Sequence, residues 1–425
     1  MVTIKKLSNN IPVVLEKMDH LRSVSLGVYV RVGSLDERAE NNGISHVVEH
    51  MLFKGTKKRS AKQLANDCAL VGGNFNAYTT KEYTSYYFTT LDHHLPEAIE
   101  ILSDMFHNSL FDAEDLEKEK GVIIDEINMY DDSPEDLVHE LLQQEVWQDH
   151  PLGYIISGEE EVVYRLTREQ IIDFFNKHYS AKHLVISVAG NYNDNIMTLL
   201  EEAFGETCVQ TAPSVMNPPT YHRTFVTREK DIEQVYMNLA FDGVNYFSED
   251  KYVLAIVNSI LGGGENSRLF QIIREELGLS YSIYSYDSSF GLAGLLHIDA
   301  IVSPSNVEKV LVATVNVVKE LVEHGITEYE LLRAKEQINT EMIIAGESSR
   351  TRVSSNGQAL LLRGKITSQE EVMERINAVT LEDALVFVRK YLKPEQMSIC
   401  LIGNLKELPL AKLQEYWVTF SPRDI

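Results

Sequence analysis

Residues 174–191, FFNKHYSAKHLVISVAGN, return 213 positions later as FVRKYLKPEQMSICLIGN over 387–404, an offset close to half of the 425-residue chain. Phe174/Phe387, Lys177/Lys390, Ile186/Ile399, Gly190/Gly403 and Asn191/Asn404 are identical pairs, and Thr167/Thr380 and Glu169/Glu382 carry the same offset into the preceding segment. One offset shared by a helix signal and a strand signal reads as duplication of a folding unit, against chance likeness of two short stretches. Each copy predicts a Thr-capped helix with an acidic first turn, a short turn, an apolar strand and a Gly-Asn stop. Between the copies, residues 205–219 are polar and punctuated by Pro213, Pro218 and Pro219. The expected organisation is an N-terminal domain over 1–208, a linker over 209–221 and a homologous C-terminal domain over 222–425.

Alternating strand patterns over 13–16, 24–32, 235–242 and 295–301 sit beside amphipathic helical patterns over 61–70, 113–129, 134–148, 307–324 and 328–345. Strands and helices do not alternate strictly and no βαβ glycine signal is present. The expected class is α+β, with each half a mainly antiparallel sheet covered by helices.

Charge and cysteines narrow the partners. With 39 Lys+Arg against 63 Asp+Glu the formal charge is −24, which disfavours nucleic acid and an anionic membrane surface and favours neutral or basic peptides. Cys68, Cys208 and Cys400 are odd in number, far apart and without a CxxC pair, so neither a disulfide framework nor a thiolate metal site is indicated. The first ten residues lack the apolar stretch of a signal peptide, and the longest apolar run, 310–318, is broken by Thr314 and Asn316. The expectation is a soluble cytoplasmic protein.

The chemistry concentrates in residues 43–56, GISHVVEHMLFKGT. Ser45 is the expected cap of a helix on which His46 and His50, four apart, stack on one face. Glu49 lies about 300° around from His46, beside that face. Two neutral imidazoles aimed at one point begin a zinc site, and the adjacent carboxylate is placed to take a proton from water. Val47, Val48, Met51 and Leu52 occupy the remaining sides and are expected in a core. Two unrelated histidines on a half-exposed helix remain the alternative until a third ligand is found.

The third ligand is sought on another element, the helix expected after Asp112. Glu119 and Glu126 are seven apart there and point the same way, two turns along. Glu114, Asp115 and Glu117 read as a solvated face, whereas Glu126 stands among Val122, Ile123, Ile124 and Ile127, where an unpaired carboxylate is costly and a cation would offset it. His93 and His94 are adjacent and expected on opposite faces of a strand. His139, His150, His183, His222 and His324 have no carboxylate or cysteine at ligand spacing, so all read as structural or surface residues.

The sequence resembles the inverzincin metallopeptidases, the family of pitrilysin, insulin-degrading enzyme and mitochondrial processing peptidase. The resemblance rests on His-x-x-Glu-His followed by Glu126 76 residues on, with Glu119 seven before it. It extends in order through VVEHMLFKGT (47–56), GNFNAYT (73–79), Thr84-Ser-Tyr86, His150-Pro-Leu-Gly153 and REELGLSY (274–281). It implies His46, His50 and Glu126 as ligands of one Zn2+ per chain, Glu49 as general base and proton shuttle, and Glu119 as the group that orients a ligand imidazole. The length is similar to the processing-peptidase type, in which two subunits pair. That implies a homodimer, an enclosed chamber for short or unfolded peptides, and sites completed in trans by Arg274 and Tyr281 of the other chain.

Asn76, Ala77 and Tyr78 lie on a strand pattern that, by the resemblance, adds the peptide to the sheet through its backbone; an ordinary paired strand gives the same periodicity. Arg274 and Tyr281 are by themselves an ordinary helix-end arginine and strand-opening tyrosine. The Gly-rich run 261–270 lacks the Gly-Lys-Ser/Thr ending of a phosphate loop and reads as a loop entering a helix. Aligning Leu52 with Leu261 puts Ala255, Asn258 and Ser259 where His46, Glu49 and His50 stand, so the second half lacks ligands. A zinc-dependent endopeptidase is the leading expectation. The alternatives are a non-catalytic partner or assembly subunit, which would be expected to lose these residues, and a metal hydrolase acting on something other than peptides.

Overall fold

The computed structural model describes residues 2–148, 150–209, 216–406 and 408–419. Pro213 and the rest of 210–215, within the expected linker, lie outside them. The first sheet is built from β1 (Val2–Lys6), β2 (Pro12–Lys17), β3 (Ser23–Val30), β4 (Asn74–Thr79), β5 (Thr84–Leu91) and β6 (Leu184–Gly190), in the order β1-β2-β6-β3-β5-β4. The second is built from β7 (Phe225–Glu229), β8 (Val235–Asp242), β9 (Ser282–Ser289), β10 (Gly294–Val302) and β11 (Ser398–Gly403), in the order β7-β11-β8-β10-β9. Apart from the added β1, the two orders are one order written twice. In each sheet a single pair is parallel, β2 with β6 and β7 with β11, and the rest are antiparallel. The class is α+β, as expected.

The repeated segment behaves alike in both halves. Thr167 and Thr380 each close a capping box, with Gln170 and with Asp383. The strands end at Gly190 and Gly403 with φ of 123° and 151°, where a Cβ would stand 2.5 Å from Ser23 O and 2.4 Å from Gln234 O. Only glycine meets both the dihedral and the approach.

The chain divides into two compact units that are not contiguous in sequence: Met1–Met129, Tyr154–Met216 and Ile344–Thr367 form one, and Tyr130–Gly153, Asn217–Ile343 and Ser368–Ile425 the other. The expected linker separates the sheets, but two helices are exchanged: Pro134–Val146 belongs to the second unit and Ser349–Arg363 to the first. At the 213-residue offset they are counterparts. The physical reason lies in the central strands. Val24, Leu26, Val28 and Val30 of β3 join one core, while the alternate residues Ser25 and Tyr29 meet Ser349 and Ser354 of the exchanged helix. A strand buried on both faces needs a second cover, and each sheet takes it from the other half of the sequence.

The exchanged helices are pinned differently. Arg352 Nε lies 2.8 Å from Glu16 Oε2, whereas His139, at the same repeat position, puts Nε2 3.3 Å from Asp299 Oδ2 and Nδ1 2.6 Å from the Tyr286 hydroxyl. Sequence spacing gave His139 no carboxylate; β10 brings one. Burial pushes Asp299 up to about 7 and lowers His139, so both favour their neutral forms. An unfolded aspartate loses its proton near pH 4. Between there and pH 7 the folded chain therefore binds more protons, and the contribution of Asp299 falls as pH rises, by at most about 1.4 kcal/mol per unit. Urea unfolding at pH 5 and pH 8 should show Asp299→Asn losing less stability across that interval than wild type; parallel losses would contradict the assignment.

Candidate metal centre

The helix Ile44–Leu52 starts from Gly43, whose φ of 95° and approach to Ser157 O, 2.7 Å from where a Cβ would lie, call for glycine. Ser45, the expected cap, is instead inside the helix. The capping acceptor is Glu37, a buried carboxylate that takes hydrogen bonds from Gly43 N at 2.7 Å, Ser45 N at 2.8 Å and Asn42 Nδ2 at 2.8 Å. An anion at a helix N-terminus also meets the positive end of the peptide dipoles. Nothing in the loop sequence marked Glu37. Glu37→Ala leaves three buried donors without their acceptor and should cost about 2–4 kcal/mol in urea unfolding; an unchanged midpoint would mean that they find other partners.

Val47, Val48, Met51 and Leu52 are buried as expected, and they fix the helix so that His46, Glu49 and His50 emerge together. The imidazole centroids lie 4.5 Å apart. The second element is the helix Ala113–Asp132, capped by Asp112 Oδ1, which accepts from Glu114 N at 2.9 Å and Asp115 N at 3.2 Å. Its Glu126 Oε2 stands 3.8 Å from His46 Nε2 and 3.6 Å from His50 Nε2. One ligand atom from each of the three lies within 4.8 Å of the others, the one such group among the described residues. Glu126 is half-buried, not embedded: Ile123 is buried but Val122 is exposed.

Glu119 and Lys54 complete the centre. Glu119 Oε1 lies 3.0 Å from His50 Nδ1, and Oε2 lies 2.5 Å from Lys54 Nζ. With Nδ1 so engaged, Nε2 is the nitrogen of His50 turned to Glu126. Burial alone would raise the Glu119 carboxyl, but His50 and Lys54 overcome it and hold it below its ordinary value. His46 is lowered to about 3, first by burial and then by His50, so it is neutral and able to ligate. Its Nδ1 is buried without a hydrogen-bond partner among the described residues. Glu49, 8% exposed, is raised by burial, opposed by the Thr79 hydroxyl 2.6 Å from Oε2. Two imidazoles and one carboxylate, converging with a separate carboxylate beside them, fit a tetrahedral divalent cation with an open position. Lys54 and Thr79 lay within quoted motifs, but only the fold shows what they touch.

Asn76, Ala77 and Tyr78 lie on β4, the terminal strand of the first sheet, paired on one side to β5. Asn76 is exposed and Tyr78 half-buried, with its hydroxyl 3.1 Å from Gln358 Nε2. Strand β9 is terminal in the second sheet, but there Ser285 N donates to Gly262 O at 3.0 Å. No such backbone bond occupies the outer edge of β4 among the described residues.

Arg274 and Tyr281 belong to the second unit. Arg274 sits on the π-helical turn Phe270–Glu276 with its guanidinium 4.5 Å from the Phe270 ring centroid, and Tyr281 is 81% exposed just before β9. On the helix Asp250–Leu261, Ala255, Asn258 and Ser259 form no ligand group. His93 and His94 are in a 3-10 turn, not a strand, with rings 4.2 Å apart. No helix among the described residues is long and apolar enough to cross a membrane.

Comparison with known proteins places the chain among peptidase homologues. Residues 12–160 match the family model for insulinase (peptidase family M16) and residues 165–338 that for the peptidase M16 inactive domain. A relative named uncharacterized zinc protease YmxG, of Bacillus subtilis, is 38% identical over 94% of this chain and 98% of its own. An uncharacterized zinc protease of Streptomyces coelicolor is 35% identical over 96% of this chain and 91% of its own. Among solved structures, the peptidase M16 inactive domain from Pseudomonas fluorescens superposes with a TM-score of 0.88 at 20% identity, covering 95% of this chain and 98% of that one. That likeness speaks for the fold alone.

Proposed function

The chain belongs to the insulinase peptidase family, M16, and from that premise we propose that it is a zinc-dependent endopeptidase with one metal centre per chain. The observation that carries the reading is the convergence of His46 Nε2, His50 Nε2 and Glu126 Oε2 beside Glu49. These three atoms would hold a zinc ion, which would supply Lewis acidity to the reaction. Glu49 takes a proton from the attacking water and returns it to the departing amine, so that hydroxyl ends on the carbonyl carbon and hydrogen on the nitrogen as the C–N bond breaks. Its burial supports this role by raising its proton affinity. Glu119, braced by Lys54, orients His50.

The peptide adds to the outer edge of β4 along Asn76, Ala77 and Tyr78, with main-chain hydrogen bonds giving affinity and side-chain pockets giving choice. The outer edge of β4 carries no backbone bond among the described residues, whereas β9 of the other sheet donates one within its own unit, from Ser285 N to Gly262 O; this contrast supports the placement. Arg274 and Tyr281 bind substrate carbonyls in trans, in a homodimer enclosing short or unfolded peptides, and the net charge of −24 favours basic ones. Retention of His46, Glu49, His50, Glu119, Glu126, Arg274 and Tyr281 argues against a non-catalytic partner subunit.

Metal analysis combined with a fluorogenic peptide library, with and without chelator, tests the reading. Stoichiometric zinc and chelator-sensitive cleavage are expected; metal-free protein that cleaves equally well would overturn it. Mixing a Glu49→Gln chain with an Arg274→Ala chain should restore part of the activity, and silence in verified mixed dimers would count against completion in trans.

A further inference from the structure

We infer that Thr79 is a positioning residue for Glu49, fixing one carboxylate oxygen of the base to the end of the strand that receives the peptide. The inference rests on the peptidase reading above. Thr79 is the last residue of β4, and its Oγ1 donates to Glu49 Oε2 at 2.6 Å. That is the length of a charge-assisted hydrogen bond to a carboxylate, stronger than one between neutral groups. The bond removes rotational freedom from a side chain that must meet water at a defined angle.

Thr79 is itself held. It pairs with Thr84 across the β4–β5 turn, and Thr84 Oγ1 donates to Val32 O at 2.9 Å. The turn is further tied by Thr80 N to Tyr83 O at 2.8 Å, Ser34 N to Thr80 O at 3.2 Å and Leu35 N to Lys81 O at 2.7 Å. The base is therefore referenced to the strand that sets the register of the substrate. A peptide bond lying correctly along β4 lies correctly for Glu49, with no further adjustment between binding and proton transfer.

The second half of the chain also ties its terminal strand to the matching helix, from mid-strand Ser285 and not from the strand end, and without the chemistry. Asn258, at the repeat position of Glu49, accepts through Oδ1 from Ser285 Oγ of β9 at 2.7 Å. An amide oxygen takes no proton near neutral pH, and Gly262 O occupies the strand edge there. Each half thus has a side-chain bond from its terminal strand to this helix, and in the first half it ends on the carboxylate proposed as the base. The experiment must separate holding the base from holding the fold.

Zinc-loaded wild type, Thr79→Val and Thr79→Ser are compared for kcat and KM on a fluorogenic peptide, for zinc affinity against a competing chelator, and for thermal midpoint. Valine keeps the shape and removes the donor; serine restores the donor. Thr79→Val should lower kcat roughly 10–100-fold, with KM and zinc affinity within about threefold of wild type, and Thr79→Ser should recover kcat to within about threefold. In a Glu49→Gln background, Thr79→Val should cost nothing more. Unchanged kcat in Thr79→Val would overturn the inference. So would a loss matched by weaker zinc binding or a lower midpoint and not repaired by serine, because that is the signature of a structural tie. Wild type silent with and without chelator would instead sink the peptidase reading and this inference with it, and is recognisable because the parent is inactive before any substitution.

Discussion

Replacing Glu49 by glutamine should leave zinc bound and lower peptide hydrolysis by roughly 10²–10⁴-fold, the scale of general acid–base catalysis. Glutamine preserves length and an oxygen that can accept from Thr79, and loses only the capacity to take a proton. The carboxylate is 8% exposed and raised by burial, so its affinity for a proton is increased, as the proposed base requires. Paired measurements of metal content and turnover decide the matter. Full zinc with turnover near that of wild type would remove Glu49 from the reaction.

Removing Glu126 should have an effect of similar size by a different route. Glu126→Ala leaves His46 and His50 alone, 4.5 Å apart between ring centroids, and deletes the anionic member of the donor set. Zinc affinity and hydrolysis should be lost together, and the thermal midpoint should cease to depend on added zinc, because a ligand stabilises the folded chain only in proportion to its binding. Glu119→Gln should be milder, weakening zinc roughly 10–100-fold through the orientation of His50. Titration against a chelating indicator measures both. Wild-type affinity in Glu126→Ala would place the metal elsewhere.

Much of this was legible in residue order because the informative signals are local. A spacing of four puts His46 and His50 on one helical face whatever surrounds them. Two copies of a capped helix and a Gly-stopped strand declare a duplication that the matching strand orders of the two sheets, β1 aside, express. Ala255, Asn258 and Ser259 likewise mark the half without ligands. What was not legible depends on groups far apart in sequence. Glu37 caps the histidine helix from an irregular loop, where no period operates. Asp299 reaches His139 across 160 positions only because an exchanged helix lies on the second sheet. Ser45 looked like a cap on residue type alone, yet a glycine at positive φ and a distant carboxylate took that place. The same exchange explains why a cut at the linker divides the sheets but not the packed units: a strand buried on both faces announces that it needs a cover, not which segment supplies it.

The most direct test is X-ray absorption at the zinc edge on stoichiometrically loaded protein, repeated on Glu126→Ala. Two imidazole nitrogens at about 2.0–2.1 Å and a carboxylate oxygen at about 2.0–2.2 Å are expected, with the signal of an ordered site lost in the variant. Sulfur in the coordination shell, or an unchanged spectrum in Glu126→Ala, would contradict a centre built from His46, His50 and Glu126.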